Sequence, residues 1–542
     1  MDYERATEPH PEQGLTRAPG APSKGRAWLM TWCGAAVILA LALFLRGKDL
    51  DSGRMSPDDG EFLHSARVHE LAPSRDLSQA LTEDRAWIAV LAEDHGRIAE
   101  RTSFQHSYLH QLAIRWAWRL GGTVGLGRVT ALRADQALLG ALTALLVFVW
   151  LRRAIPAEPF LAWVGGALVA TQLLHVHTSR TGWGQAGCTF FLVAMYALAW
   201  RMRDVRNDQP WRLFGYALLI AAASLLAYGF HEMATVYVAA LALIIVFEFG
   251  IGDDARRQWP WSSRRTWLGL AACAPVGALT VALLMTSEYA RETWFNTQLS
   301  SYSWSETRRL SLSYLWQAGM VQQLGVAVLL LAPIGLVGAV LRDARYARWL
   351  VLCAAVPTAA LFLRFNNPSL PRIYLPLGVL LCMFAAEGVG VLCALARGRW
   401  PRAAAQAVAF GAVALGAATS WQTLMAPASA PLHVAGLHRV GARIDEPRRP
   451  LDPLLDALRQ SSRPPTEVVG VGWVWGPLYR LFDASFPALI VNTTEPDGEW
   501  PRHVIAPMKS MGGGQRLARD GGRWHVLAVD GTGQLGLYER RD

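Results

Sequence analysis

The chain has 542 residues, 52% of them hydrophobic and only 17% charged, with 23 tryptophans. A soluble chain of this length would carry a larger charged share over several domains. Here the apolar residues come in blocks long enough to cross a bilayer, about 17 to 25 residues each. The formal charge of +10 would suit nucleic acid, but most Arg sits in short loops between apolar blocks and no basic stripe is interleaved with stacking aromatics. The composition therefore reads as a polytopic α-helical membrane protein with no nucleic-acid partner.

Residues 1–26 are polar, Pro- and Gly-rich and basic, and read as a disordered cytoplasmic tail. The apolar run from Trp28 to Leu45 lacks a small-x-small cleavage site after it, so it reads as an uncleaved first span. Further spans are expected near 135–151, 159–176, 186–200, 213–229, 233–249, 267–287, 320–341, 349–363, 373–395 and 403–424, about eleven in all. Every second loop is basic: Arg152-Arg153, then Arg201/Arg203/Arg206, Arg256-Arg257 with Arg264-Arg265, Arg342/Arg345/Arg348 and Arg397/Arg399/Arg402. With a cytoplasmic N-terminus all of these face the cytoplasm, an alternation that a miscounted span would scramble.

The outward segments are then 46–134, 175–185, a tight turn at 229–232, 288–319, 364–372 and the tail from about 425. In the long first loop, Leu77, Leu81, Ile88, Leu91 and Ile98 mark one helix face and Tyr108, Leu112 and Trp116 another, as in helices lying along a membrane surface. No internal repeat is evident, which weighs against an inverted-repeat transporter. After a linker at 425–465, the runs "TEVVGVGWVWG", "PALIVNT", "RHVIAP", "RWHVLAV" and "QLGLYER" have β character, and "PLYRLFDAS" suits a helix. Residues 466–542 are expected to form a small extracytoplasmic α/β domain, and 27–424 the transmembrane domain.

The six cysteines lie in or beside apolar blocks with no CxxC pair, so structural disulfides and thiolate metal sites are not expected. His175 with His177, and His106 with His110, lack a third ligand within reach and read as structural. The ionisable residues near outward span ends carry more weight, because such positions are costly and often functional. Asp58, Asp59 and Glu61 follow the first span in "SPDDGEFLHSA"; "FQHSYLHQL" supplies His106 and Tyr108. Arg180 sits in "HVHTSRTGWGQ", His231 and Glu232 in "YGFHEMA", and Arg372 and Tyr374 in "PRIYLPLGVL". Each alone also suits an interfacial anchor, and the acidic cluster also suits simple solvation. The aromatic- and Arg-rich stretch from "SEYARETWF" to "LSLSYLW" reads as a mobile cover on the same side or as an interfacial loop.

The order and spacing of these motifs resemble the GT-C glycosyltransferases that use polyprenyl-phosphate sugars, including the protein O-mannosyltransferase and lipid A aminoarabinose transferase branches. The similarity runs over most of residues 28–400. "PDDGEFLHSA" resembles the family's Asp-Glu motif, and "FQHSYLHQL" its His-Pro-Pro-Leu-Tyr stretch without the prolines. "VTALRADQALLGALTALLVFVWLRR" resembles the Arg-led second span, "LLHVHTSRTGWGQ" the Ser-Arg loop, and "PRIYLPLGVL" the Arg-Tyr entry to a late span. The tail's "GWVWGPLYRLF" and "LGLYERR" resemble the small outer domain of many members. Where some branches carry an acid about five residues after the loop Arg, this chain has Gln185; no metal ligand is assigned, and a need for a divalent metal stays open.

The resemblance implies an inverting transfer of a sugar from a polyprenyl-phosphate donor to a glycan, lipid or protein acceptor, in a bacterial inner membrane and on its outer side. A phosphate leaving group is already a stable anion, so one carboxylate base and cations on the phosphate suffice; no pair of carboxyls is needed as in glycosidases. Asp58 and Asp59 are the implied catalytic carboxylates, with Asp58 at the leading position. Arg372, Arg180 and His231 are the expected phosphate ligands. His106, Tyr108, Glu232 and Tyr374 are the expected substrate contacts. The rival readings are a lipid-linked sugar flippase, which calls for mid-span charges and repeated halves, and a non-catalytic envelope assembly factor acting through its tail.

Overall fold

The computed structural model describes residues 24–48, 50, 108–156, 158–202, 210–231, 233–250, 274, 278, 320–342, 347, 349–353, 356–357, 371–395, 399–425, 452–460, 467–471, 489–493, 502–507, 523–529 and 535–541. Within these, nearly every apolar block is a helix: α1 (Lys24–Gly47), α2 (Tyr108–Thr123), α3 (Arg128–Ala154), α4 (Pro159–Thr171), α5 (Leu173–Thr178), α6 (Gln185–Met202), α7 (Pro210–Phe230) and α8 (Ala234–Gly250). There follow α9 (Met320–Leu324), α10 (Val326–Arg342), a 3-10 turn at Pro371–Tyr374, α11 (Leu375–Leu395), α12 (Arg399–Met425) and α13 (Asp452–Gln460). Four of them, α3, α7, α11 and α12, are long and apolar enough to cross a membrane. The expected span at 267–287 lies outside the described residues, apart from two isolated positions, and so does most of 349–363.

Three expected spans are subdivided, and each break has a local cause. The 159–176 block breaks at Gln172, whose extended backbone ends α4 and starts α5. Its side-chain amide explains the break: Nε2 donates to the carbonyls of Leu324 (3.3 Å) and Gly378 (3.2 Å), joining α4 to the end of α9 and to α11. The 320–341 block breaks at Gly325, whose φ of +92° is left-handed and favours glycine. The late block opens with the 3-10 turn that carries Arg372 and Tyr374.

The helices share one apolar core that includes Phe148, Leu151, Leu168, Tyr196, Tyr237, Trp349, Val379 and Met383. In the most apolar stretch of α11, 67% of the residues are buried, against 22% in α12, so α11 is central and α12 peripheral. Small residues let α11 approach α10: a side chain at Gly335 would run into the Phe384 carbonyl, and one at Gly388 into that of Leu331. On α2 the buried line is His110 with Ile114, while Trp116 is exposed. The expected stripe through Trp116 is therefore not the face that α2 packs inward; i, i+4 spacing suits either line, and only contact with α3 and α7 selects one.

The five β-type runs form strands β1 (Glu467–Val471), β2 (Leu489–Thr493), β3 (His503–Pro507), β4 (Arg523–Val529) and β5 (Leu535–Arg541). They make one sheet in the order β2-β1-β3-β5-β4, parallel across β2-β1-β3 and antiparallel across β3-β5-β4. Val504, Ala506 and Leu537 are buried. Inside the expected linker, "DPLLDALRQ" forms α13 against β4, with Leu454 and Leu458 buried one turn apart. The helix expected at "PLYRLFDAS" lies outside the described residues.

Candidate active site

One end of the bundle is assembled from the last turn of α1, the start of α3, the 179–184 loop, the α7–α8 turn and the 3-10 turn before α11. It is held by arginines acting on helix termini. A helix ends with four carbonyls that have no intrahelical partner. For α4 all four are met: Leu168 by the Gln172 N–H (2.8 Å), Val169 and Ala170 by Arg46 (3.2 and 2.8 Å), and Thr171 by the Ser420 hydroxyl (2.7 Å). Arg46 is fully buried, and its Nη2 also donates to His175 Nδ1 at 2.8 Å. Arg46 donates only, so His175 accepts at Nδ1 and keeps its proton on Nε2.

The end of α1 is treated the same way. Arg180 Nη1 donates to the carbonyls of Leu45 (3.1 Å), Arg46 (3.0 Å) and Lys48 (2.7 Å). Arg133, from α3, donates to the Leu50 carbonyl at 2.8 Å. Both side chains are buried, and a cation at a helix C-terminus also complements the helix dipole. The chain leaving α1 is thus pinned from two elements only a few residues before Asp58 and Asp59, which themselves lie outside the described residues.

The loop after α5 is fixed in turn. His110 Nε2 donates to the Gly182 carbonyl at 2.8 Å. Gln136 Oε1 accepts the Gly187 N–H (2.9 Å), one of the orphan donors at the start of α6, while Asp135 accepts from the Gln136 backbone (2.7 Å) and side-chain amide (2.9 Å). This loop presents Trp183, and the Arg372 guanidinium lies over its ring, 3.8 Å from the centroid. Arg372 is partly exposed, unlike Arg46, Arg133 and Arg180. A guanidinium held over an aromatic face is oriented by the cation–π contact, and a guanidinium is the side chain best shaped to meet a phosphate.

The other expected site residues are distributed as follows. His231 is buried in the α7–α8 turn, where its Nδ1 accepts the Met233 N–H at 3.1 Å, the position of a helix cap. Tyr374 is buried at the start of α11, and Tyr108 is the first residue of α2. His106, Glu232 and the stretch 288–319 lie outside the described residues. Of the expected residues, Arg180 lies in the loop after α5, His231 in the α7–α8 turn, and Arg372 and Tyr374 in the 3-10 turn before α11. Sequence reasoning assigned no role to Arg46, Arg133, Gln136 or Trp183; their signal was polar or aromatic residues at span ends. Among the described residues no group of three His, Cys, Asp or Glu could hold a metal.

No protein-family model matches the sequence, and comparison with curated proteins finds no match. Solved structures do match by fold. ArnT from Cupriavidus metallidurans in the apo state superposes with a TM-score of 0.55 at 13% identity, over 95% of this chain and 98% of that one. An Archaeoglobus fulgidus oligosaccharyltransferase, in complex with zinc and sulfate, gives 0.57 at 10% identity over 93% and 72%. The chain therefore shares its fold with these two solved structures. ArnT from the same organism bound to undecaprenyl phosphate superposes on this chain with a TM-score of 0.54 at 13% identity, over 95% and 98%. The likeness thus spans nearly the whole chain.

Proposed function

We propose that this protein is a membrane glycosyltransferase that moves a sugar from a polyprenyl-phosphate donor to an acceptor hydroxyl or amine on the extracytoplasmic side of a bacterial inner membrane. The observation that carries the reading is Arg372 over Trp183, a partly exposed, oriented guanidinium at the same end of the bundle as the last turn of α1. The related fold that binds undecaprenyl phosphate supports a polyprenyl-phosphate ligand.

In this mechanism Asp58, with Asp59 beside it, takes the proton from the acceptor as its oxygen or nitrogen attacks the anomeric carbon. The bond from that carbon to the phosphate oxygen breaks, the configuration inverts, and polyprenyl phosphate leaves carrying the electron pair. Arg372 meets the charge that grows on the departing phosphate. Arg180 and Arg133 act at one remove, since their donation to the carbonyls of residues 45–50 sets where the acidic stretch begins. His231 shapes the α7–α8 turn beside them. His106, Tyr108, Glu232 and Tyr374 supply substrate contacts.

The test is sugar transfer by the purified protein from undecaprenyl-phosphate-linked sugars to envelope acceptors, with product read by mass spectrometry. Asp58→Asn with Asp59→Asn should abolish transfer and leave lipid binding intact. Transfer by the double variant at the wild-type rate sinks the assignment of the base.

A further inference from the structure

Three buried polar groups lie near the Trp183–Arg372 pair; of these the scheme above uses only Tyr374, as a substrate contact of unspecified kind. Tyr237, in the second turn of α8, is fully buried; Tyr374 is 3% exposed and Gln185 is 2% exposed. Among the described residues, Tyr237 Oη, Tyr374 Oη and Gln185 Oε1 have no hydrogen-bond partner. Folded chains rarely leave one such group unmet, and three from three elements in one region call for a polar ligand.

Their placement brings them together. Helical side chains lean toward the helix N-terminus, so the Tyr237 phenol points back toward the 231–233 turn. Its electrostatic neighbours there include Cys188, whose thiol is 3.9 Å from the His231 carbonyl, and Tyr374. Gln185 lies one turn before Cys188 on the same side of α6. Ala186, next to it, shares a small apolar cluster with Leu375, the residue after Tyr374. Tyr374 in turn follows Arg372 by two residues on the 3-10 turn. Two phenols that can donate or accept, with an amide oxygen that accepts, are a poor match for an anion and offer no carboxylate to a metal. They match the uncharged, closely spaced hydroxyls of a sugar ring.

We propose that Tyr237, Tyr374 and Gln185 form the pocket that reads the sugar hydroxyls of the donor, with its phosphate on Arg372. This rests on the polyprenyl-phosphate reading and adds to it where specificity resides. A site built to hydrogen-bond hydroxyls rejects analogues that lack them, because its own polar groups are then left unpaired.

The test measures binding of the purified full chain to undecaprenyl phosphate and to undecaprenyl-phosphate carrying mannose, glucose, galactose, arabinose or ribose. Wild type should bind at least one sugar-bearing lipid about 10-fold or more tightly than the bare lipid phosphate. Tyr237→Phe and Tyr374→Phe should each lose about 10-fold toward that donor and bind the bare lipid as before. Arg372→Ala should weaken both ligands. The melting temperature of each Phe variant should hold or rise, since an unmet hydroxyl is removed; a purely structural hydroxyl would lower it. Phe variants that keep donor affinity, or that weaken both ligands equally, overturn the pocket assignment. So does a wild type that favours none of the sugars over the bare lipid. Binding of neither lipid class by wild type overturns the polyprenyl-phosphate reading itself.

Discussion

Four arginines at one end of this bundle have the same chemistry and different work. Arg46, Arg133 and Arg180 are buried and donate to the backbone ends of α4 and α1, whereas Arg372 is partly exposed over Trp183. Hydrogen bonds to charged groups contribute about 1.5–3 kcal/mol, so Arg372→Ala should weaken undecaprenyl phosphate binding about 10- to 100-fold, as read by titration calorimetry in detergent. Arg372→Lys should recover only part of this, because an ammonium has neither the fork nor the planar face that suits Trp183. Wild-type affinity in Arg372→Ala would move the phosphate site elsewhere. Arg180 and Arg372 were legible as candidates in "TSRTGWGQ" and "PRIY", whereas Arg46 and Arg133 were given no role. Their division of labour was not, since a guanidinium is an equally good donor to a helix carbonyl or to a phosphate oxygen.

At the scale of elements, the end of α1 is the part that the proposed site would depend on and that local sequence does not stabilise. Its carbonyls are met by side chains from α3 and from the loop after α5, more than 80 residues away along the chain. Arg180→Ala should therefore lower kcat by an order of magnitude or more through misplacement of the acidic stretch, while undecaprenyl phosphate binding stays near wild type. Hydrogen exchange should rise at residues 45–50 in the same variant. A large loss of lipid binding with unchanged exchange would make Arg180 a phosphate ligand instead. The apolar blocks announced nearly all the described helices, and the β-type runs announced all five strands. The breaks at Gln172 and Gly325 were not announced, because hydropathy averages over a window and does not register which amide a single side chain will meet.

For the whole molecule, the polar ends of the helices are asymmetric. The site end gathers the starts of α3, α6, α8 and α11 with the end of α1, while Arg152, Arg153, Arg201 and Arg342 lie in the last turns of α3, α6 and α10. Arg342 there pairs with the buried Glu387 of α11, tying α10 to the central helix. The basic loops predict that this second end is cytoplasmic. A cysteine at Val124, in the exposed turn before α3, should then react with a membrane-impermeant maleimide added to intact spheroplasts, and one at Pro156, after α3, should not. The reverse pattern would invert the molecule and take the acidic stretch off the outer side.

By itself the sequence determined where the chain is helical and apolar, where the tail forms strands, and which span ends carry costly ionisable groups. Those properties follow from backbone satisfaction in lipid and from local periodicity. Only the tertiary structure decided which of those groups meet. The Trp183–Arg372 contact, the clamping of α1 by Arg133 and Arg180, and the bonds from Gln172 to the carbonyls of Leu324 and Gly378 all join residues far apart in the chain. A buried polar group is defined by the partner that packing brings to it, and packing is not written into any one segment.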